Sequence, residues 1–128
     1  IMASILRVNT LTDASSNNST AMSTINQGTA KAYVNINGTG TIAIRLSSNS
    51  ASIVDNGVGN YTVNFTNDMS NAEYGANVTG ATGDTASVAI GGRYTTSTAS
   101  ACNFSNAVGG SGAVDVSYTH VSINGDLA

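Results

Sequence analysis

Between Lys31 and Thr66 apolar and polar side chains alternate through several consecutive segments, and each break between segments carries turn-forming residues. This period of two constrains the chain more than any other feature, because successive side chains of a strand point to opposite faces. Ala32, Val34 and Ile36 fall on one face, followed by Ile42, Ile44 and Leu46 and then by Tyr61, Val63 and Phe65. Lys31, Asn35, Thr41, Thr62 and Asn64 fall on the other. Strands with one apolar face need a second layer to cover it. The expected fold is therefore all-β, an antiparallel β-sandwich or jelly-roll-like domain preceded by an extended N-terminal leader.

A chain of 128 residues suits one domain, here residues 29–128, behind a leader at 1–28. Only 9% of its residues are charged, against about 25% in ordinary globular proteins. Asn, Ser, Thr and Gly supply the polarity instead. Disorder is disfavoured, because it needs high net charge and few β-branched residues, whereas the net charge is −3 and Val, Ile and Thr are abundant. The basic residues Arg7, Lys31, Arg45 and Arg93 are scattered, leaving no patch to neutralise a phosphate backbone, so nucleic acid is not an expected partner. No apolar run approaches the ~20 residues of a spanning helix, and the opening residues lack signal-peptide character. No membrane insertion and synthesis in a cytoplasm are expected.

Along the chain, residues 4–11 read as a short strand, 12–20 as turn and loop, and 21–26 as a second brief alternation. The body opens with a hairpin whose loop is Gly38-Thr39-Gly40, and a polar corner at 47–50 leads to a short strand at Ser52–Val54. Asn56-Gly57 predicts a type I′ turn into the strand 60–66. Tyr74, Ala76 and Val78 lie in phase, as do Ala86, Val88 and Ile90, on either side of a flexible connection at 80–84. Gly91-Gly92 opens one long polar strand to Phe104, and 108–112 reads as a mobile loop. In the last strand Val114, Val116 and Tyr118 share one parity while Val121 and Ile123 share the other, which predicts a β-bulge near Thr119-His120. No window supports a helix of three turns.

Chemistry-bearing residues are few. His120 is the sole histidine, with no nucleophile elbow or spaced triad to join it, and reads as a polar strand residue at a bulge or subunit contact. Asp55, Asp68, Glu73, Asp84, Asp115 and Asp126 lie mostly beside turns without calcium-loop spacing, leaving open only an ion held by residues assembled in space. No cofactor is expected. Cys102, the single cysteine, has no intrachain disulfide partner and reads as a small residue packed in a strand. The Asn-x-Ser/Thr triplets are expected from composition alone. Tyr33 is out of phase with the apolar set and, with Ala43, marks the nominally outer face as an interface between subunits; incidental exposure and stacking on a sugar ring, in that order, are the alternatives.

The run AYVNINGTGTIAIR, the phrase SIVDNGVGNYTVNFTNDM at 52–69, the terminus VSINGDLA at 121–128 and the leader SILRVNTLTDASSNNS at 4–19 resemble a family of small bacteriophage tail-fibre-type virion proteins, frequent in marine phages. The resemblance implies a non-enzymatic surface protein of the virion that contributes to host attachment. It implies a homo-oligomer, a trimer by analogy with fibres and spikes, anchored to other tail or capsid proteins by the leader through Leu6, Val8 and Leu11. Loops at 80–84, 91–94 and 105–112 would then form the recognition surface, with Arg93, Tyr94 and Asn106 meeting a host-surface glycan or protein. A capsid decoration protein, cementing or coating the shell, is the alternative, and a carbohydrate-active enzyme is a third class.

Overall fold

The computed structural model describes residues 5–81, 90–109 and 112–128. The expected strand positions Ala86 and Val88, and much of the 80–84 and 108–112 connections, lie outside them.

The N-terminal segment is more folded than an extended leader. Strands β1 (Thr10–Thr12) and β2 (Ser19–Ala21) pair antiparallel, with Leu11 opposite Thr20. Asp13 closes the turn between them, accepting hydrogen bonds from the Asn17 amide at 3.0 Å and the Asn18 side-chain amide at 2.8 Å. The Asn18 bond holds the exposed Asp13 carboxyl below its ordinary range. A two-turn helix, α1 (Met22–Gly28), replaces the alternation expected at 21–26. Met22 and Ile25, three residues apart, then share one half-buried side while neighbouring positions face solvent. No residue of β1, β2 or α1 is buried.

The body comprises β3 (Ala32–Asn37), β4 (Ala43–Ser48), β5 (Ser50–Gly57), β6 (Asn60–Phe65), β7 (Gly75–Ala81), β8 (Ile90–Thr98), β9 (Ala101–Val108), β10 (Gly112–Ala113) and β11 (Tyr118–Asn124). All described pairings are antiparallel, in the order β4-β3-β11-β7-β8-β9-β6-β5, with β10 added to β9. A single described pair, Thr79 with Gly91, joins β7 to β8. The sheet turns there, and two four-stranded layers pack face to face as an all-β sandwich. Ala32, Val34, Ile36, Val121 and Ile123 from the first layer meet Tyr61, Val63, Phe65, Cys102 and Phe104 from the second, all buried. Tyr61 and Phe104 tilt together with ring centroids 5.7 Å apart. Each buried aromatic of this kind contributes roughly 1.5–3 kcal/mol through its apolar area. Met69 seals one end of the core.

Local pattern and tertiary pairing part company at several places. The β3–β4 register shifts between Asn35 and Ile36, so Ile44 stays opposite Ile36 but Leu46 falls opposite Asn35. Leu46, expected inside, is turned to the outer face and is 61% exposed. The corner at 47–50 contracts to Asn49 alone, in left-handed conformation (φ 53°), whose Oδ1 accepts from the Asn67 amide at 2.7 Å and whose side-chain amide donates to the Asn67 carbonyl at 2.9 Å. The turn expected at Asn56-Gly57 forms instead at Val58-Gly59, because tertiary bonds hold Gly59: its amide donates to Asp115 at 2.6 Å and its carbonyl accepts from the Asn106 amide at 2.8 Å. The segment 91–104 is a hairpin, turning at Ala99-Ser100, and not one strand.

Nor does β11 contain a bulge. It begins only at Tyr118, pairs regularly with β3 and β7, and buries Thr119 with Val121 and Ile123. The preceding Val114–Ser117 leaves the strand, and Val116 is buried while its carbonyl accepts from the Gly38 amide at 2.9 Å. A break in the strand resolves the change of parity. Gly92, read as a loop glycine, lies in β8 where an added Cβ would overlap the Val78 carbonyl. It permits the close approach of β8 to β7.

Candidate functional site

The three residues expected to share a ligand surface are separated by the fold. Asn106 lies in β9 on the core face, fully buried, and donates to the Thr119 hydroxyl at 2.7 Å. It cannot meet a ligand. Arg93 and Tyr94 are exposed but adjacent on a strand, Arg93 opposite Ser105 and Tyr94 opposite Phe104, so they point to opposite faces. Tyr94 reaches the Ser97 hydroxyl, which in turn donates to the Ala72 carbonyl at 2.7 Å. The stretches 91–94 and 105–108 are paired strand, not variable loop.

Two outer faces remain, and their chemistry differs. On the β8-β9-β6-β5 layer, hydrogen bonds run from strand to strand. Asn56 donates to Thr62 at 2.7 Å, Thr62 to Asn103 at 2.7 Å, and Asn103 to Thr96 at 2.9 Å. Asn64 donates to Ser52 at 2.9 Å beside them. Cross-strand register places Thr62, Asn103 and Thr96, and likewise Ser52 and Asn64, opposite one another, while Asn56 reaches Thr62 from the register shift between Asp55 and Gly57. The face is polar and largely committed to itself.

The outer face of the β4-β3-β11-β7 layer holds Tyr33, Asn35, Ala43, Leu46, Tyr118 and His120. The expected interface residues Tyr33 and Ala43 therefore do lie on one face, Tyr33 half-buried and Ala43 exposed. Arg45, at the bulge of β4, crosses β3 to lie 4.0 Å from the ring centroid of Tyr118. Tyr33 and His120 have centroids 6.5 Å apart with ring planes inclined at 33°. Asn35, paired between Leu46 and His120, keeps a buried Oδ1 without a hydrogen-bond partner. Sequence reading found Tyr33 through its parity. It missed Tyr118, assigned to the core, and Arg45, whose reach across two strands no local pattern encodes.

The described interior ionisable groups pack and hydrogen-bond within the fold. Cys102 is fully buried, and burial pushes its thiol up to about 11. Tyr61 and Tyr74 are likewise pushed up, chiefly by burial, and act as structural donors: Tyr61 to Asp115 at 2.8 Å and Tyr74 to the Ala101 carbonyl at 2.7 Å. Among the described residues, no group of three or more His, Cys, Asp or Glu converges to hold a metal ion. The expected anchor residues Leu6, Val8 and Leu11 are 81%, 37% and 45% exposed. In comparisons with known proteins the chain matches no family model, no curated protein and no solved structure.

Proposed function

We propose that the chain is a non-enzymatic structural protein of a bacteriophage virion, a tail-fibre-like surface protein that contributes to host attachment. The observation that carries this reading is the N-terminal segment. Residues 5–28 bury nothing in the sandwich, yet they present Ile5, Leu6, Val8 and Leu11 to solvent. A contiguous apolar segment that adds nothing to its own core gains free energy only by burial against another body. A neighbouring tail protein is that body in this reading, and the sandwich projects from it.

Copies assemble as a homo-oligomer, a trimer, through the leader and the open edge of β5, where Val54 and Val58 are exposed. This leaves the Tyr33 face turned toward the host. Repeated copies raise weak contacts to useful avidity.

Locating the chain on intact particles by cryo-electron microscopy tests the reading. It is expected on the tail, and deletion of residues 1–28 is expected to remove it from particles while the isolated body stays folded. Density on the capsid shell would favour a decoration protein. Absence from purified particles would overturn a virion role altogether.

A further inference from the structure

We propose that the outer face of the β4-β3-β11-β7 layer binds a carboxylated sugar, through Arg45, Tyr118, Tyr33, His120 and Asn35. This deepens the attachment reading by naming the ligand class, and depends on it only for biological setting.

Charge is the first argument. The protein carries −3 overall, yet β3, β4, β7 and β11 contain no Asp or Glu, while their outer face presents the cation Arg45. A single carboxylate meets a cation on this face and no opposing acidic side chain from these four strands. The guanidinium held against the Tyr118 ring is oriented, and its N–H edge remains open to a planar carboxylate, which accepts two parallel hydrogen bonds. Beside it, Tyr33 and His120 form an aromatic platform suited to the apolar face of a sugar ring. Asn35 lies between these two elements, half-buried, with its Oδ1 turned inward; its side-chain nitrogen makes no hydrogen bond among the described residues and can donate to a sugar hydroxyl. The opposite outer face lacks this availability, because Asn56, Thr62, Asn103 and Thr96 already bond one another.

Other occupants fit less well. A densely charged polyphosphate or nucleic acid needs many cationic contacts, and this face offers one permanent cation, Arg45, on an acidic protein. A second copy stacked on the same face would bring Arg45 against the same acid-free strands, with no carboxylate to pair it.

The test is an NMR titration of the full chain with oligogalacturonate, with its methyl ester, and with inorganic polyphosphate. Oligogalacturonate is expected to perturb the amides around Asn35, Arg45 and Tyr118, with the ester weakened by roughly tenfold or more and Arg45→Gln weakened similarly. Tyr118→Ala should also weaken binding, while Thr62→Val, on the other face, should leave it unchanged. The proposal is overturned if no perturbation occurs, if the ester binds equally, if polyphosphate is preferred, if shifts centre on Asn103, or if the Tyr33 face broadens with protein concentration alone, which would make it a subunit interface. Tail location without oligogalacturonate binding removes this inference and leaves the attachment reading standing. Sugar binding by a chain absent from particles does the reverse.

Discussion

Asn106 of β9 donates its side-chain amide to the hydroxyl of Thr119 of β11 at 2.7 Å, joining the two layers through a pair that is 0% exposed at both ends. The pair is polar and lies beside a largely apolar core, and Asn106 keeps its Oδ1 without a partner. Removing one partner leaves the other desolvated, which costs more than the bond itself contributes. Thr119→Val is therefore expected to lower stability by about 1–3 kcal/mol, with Asn106→Leu in the same chain recovering part of the loss. Urea denaturation of the two single variants and the double variant measures the coupling. Ligand binding at the outer face should not change in any of them.

Gly92 and Gly109 provide a paired test of the sheet's turning point. At Gly92 a methyl group would overlap the Val78 backbone, whereas among the described residues nothing lies within 4 Å of a Cβ at Gly109. Gly92→Ala is expected to destabilise by about 2 kcal/mol or more through forced separation of β7 and β8. Gly109→Ala should fall within about 0.5 kcal/mol of the parent. Equal effects in thermal melts would show that β7 and β8 do not approach closely at Val78.

Alkaline pH should loosen the fold before acid does. The folded state holds the Cys102 thiol neutral up to about 11, while an unfolded thiol ionises near its ordinary value, about 8.5. The unfolded chain then binds fewer protons between those values, so stability falls as pH rises, by roughly 3 kcal/mol from this group. Tyr61 and Tyr74, also raised by burial, add to the loss above pH 10. Denaturation midpoints from pH 8 to 11 measure the decline. Cys102→Ala should lower stability at neutral pH yet flatten the first part of the slope.

Deleting residues 1–28 should leave the sandwich folded. Residues 5–28 place no side chain in the core, and their described side-chain link to β11 is the Asn124 amide on the Gly28 carbonyl at 3.2 Å. A change in melting temperature of only a few degrees is expected, consistent with loss of about 1 kcal/mol or less. Collapse of the circular-dichroism melt would instead make the segment part of the cooperative unit.

Breaking the strand-to-strand relay should cost little. Thr62→Val removes an acceptor from Asn56 and a donor from Asn103, but on a face open to solvent water replaces both. A loss below about 1 kcal/mol is expected. A larger value would mean the relay acts as a cooperative network.

Period-two alternation determined the strands themselves. The burial of Ala32, Val34 and Ile36 in β3, and of Tyr61, Val63 and Phe65 in β6, is the alternation read directly from the residues. Parity likewise placed Tyr33 on the outer face. These properties follow from the pleat, which is local and needs no knowledge of partners. Tertiary structure alone decided the rest. A bulge against β3 turned Leu46 outward, contacts with Asp115 and Asn106 moved a turn from Asn56-Gly57 to Val58-Gly59, and pairing with β8 and β6 drew Asn106 from an expected loop into the core. The candidate site arises the same way, since Arg45 and Tyr118 lie 73 positions apart and meet only because β3 separates β4 from β11. Register and strand order are set by the free energy of the whole sheet, so no local window of sequence contains them.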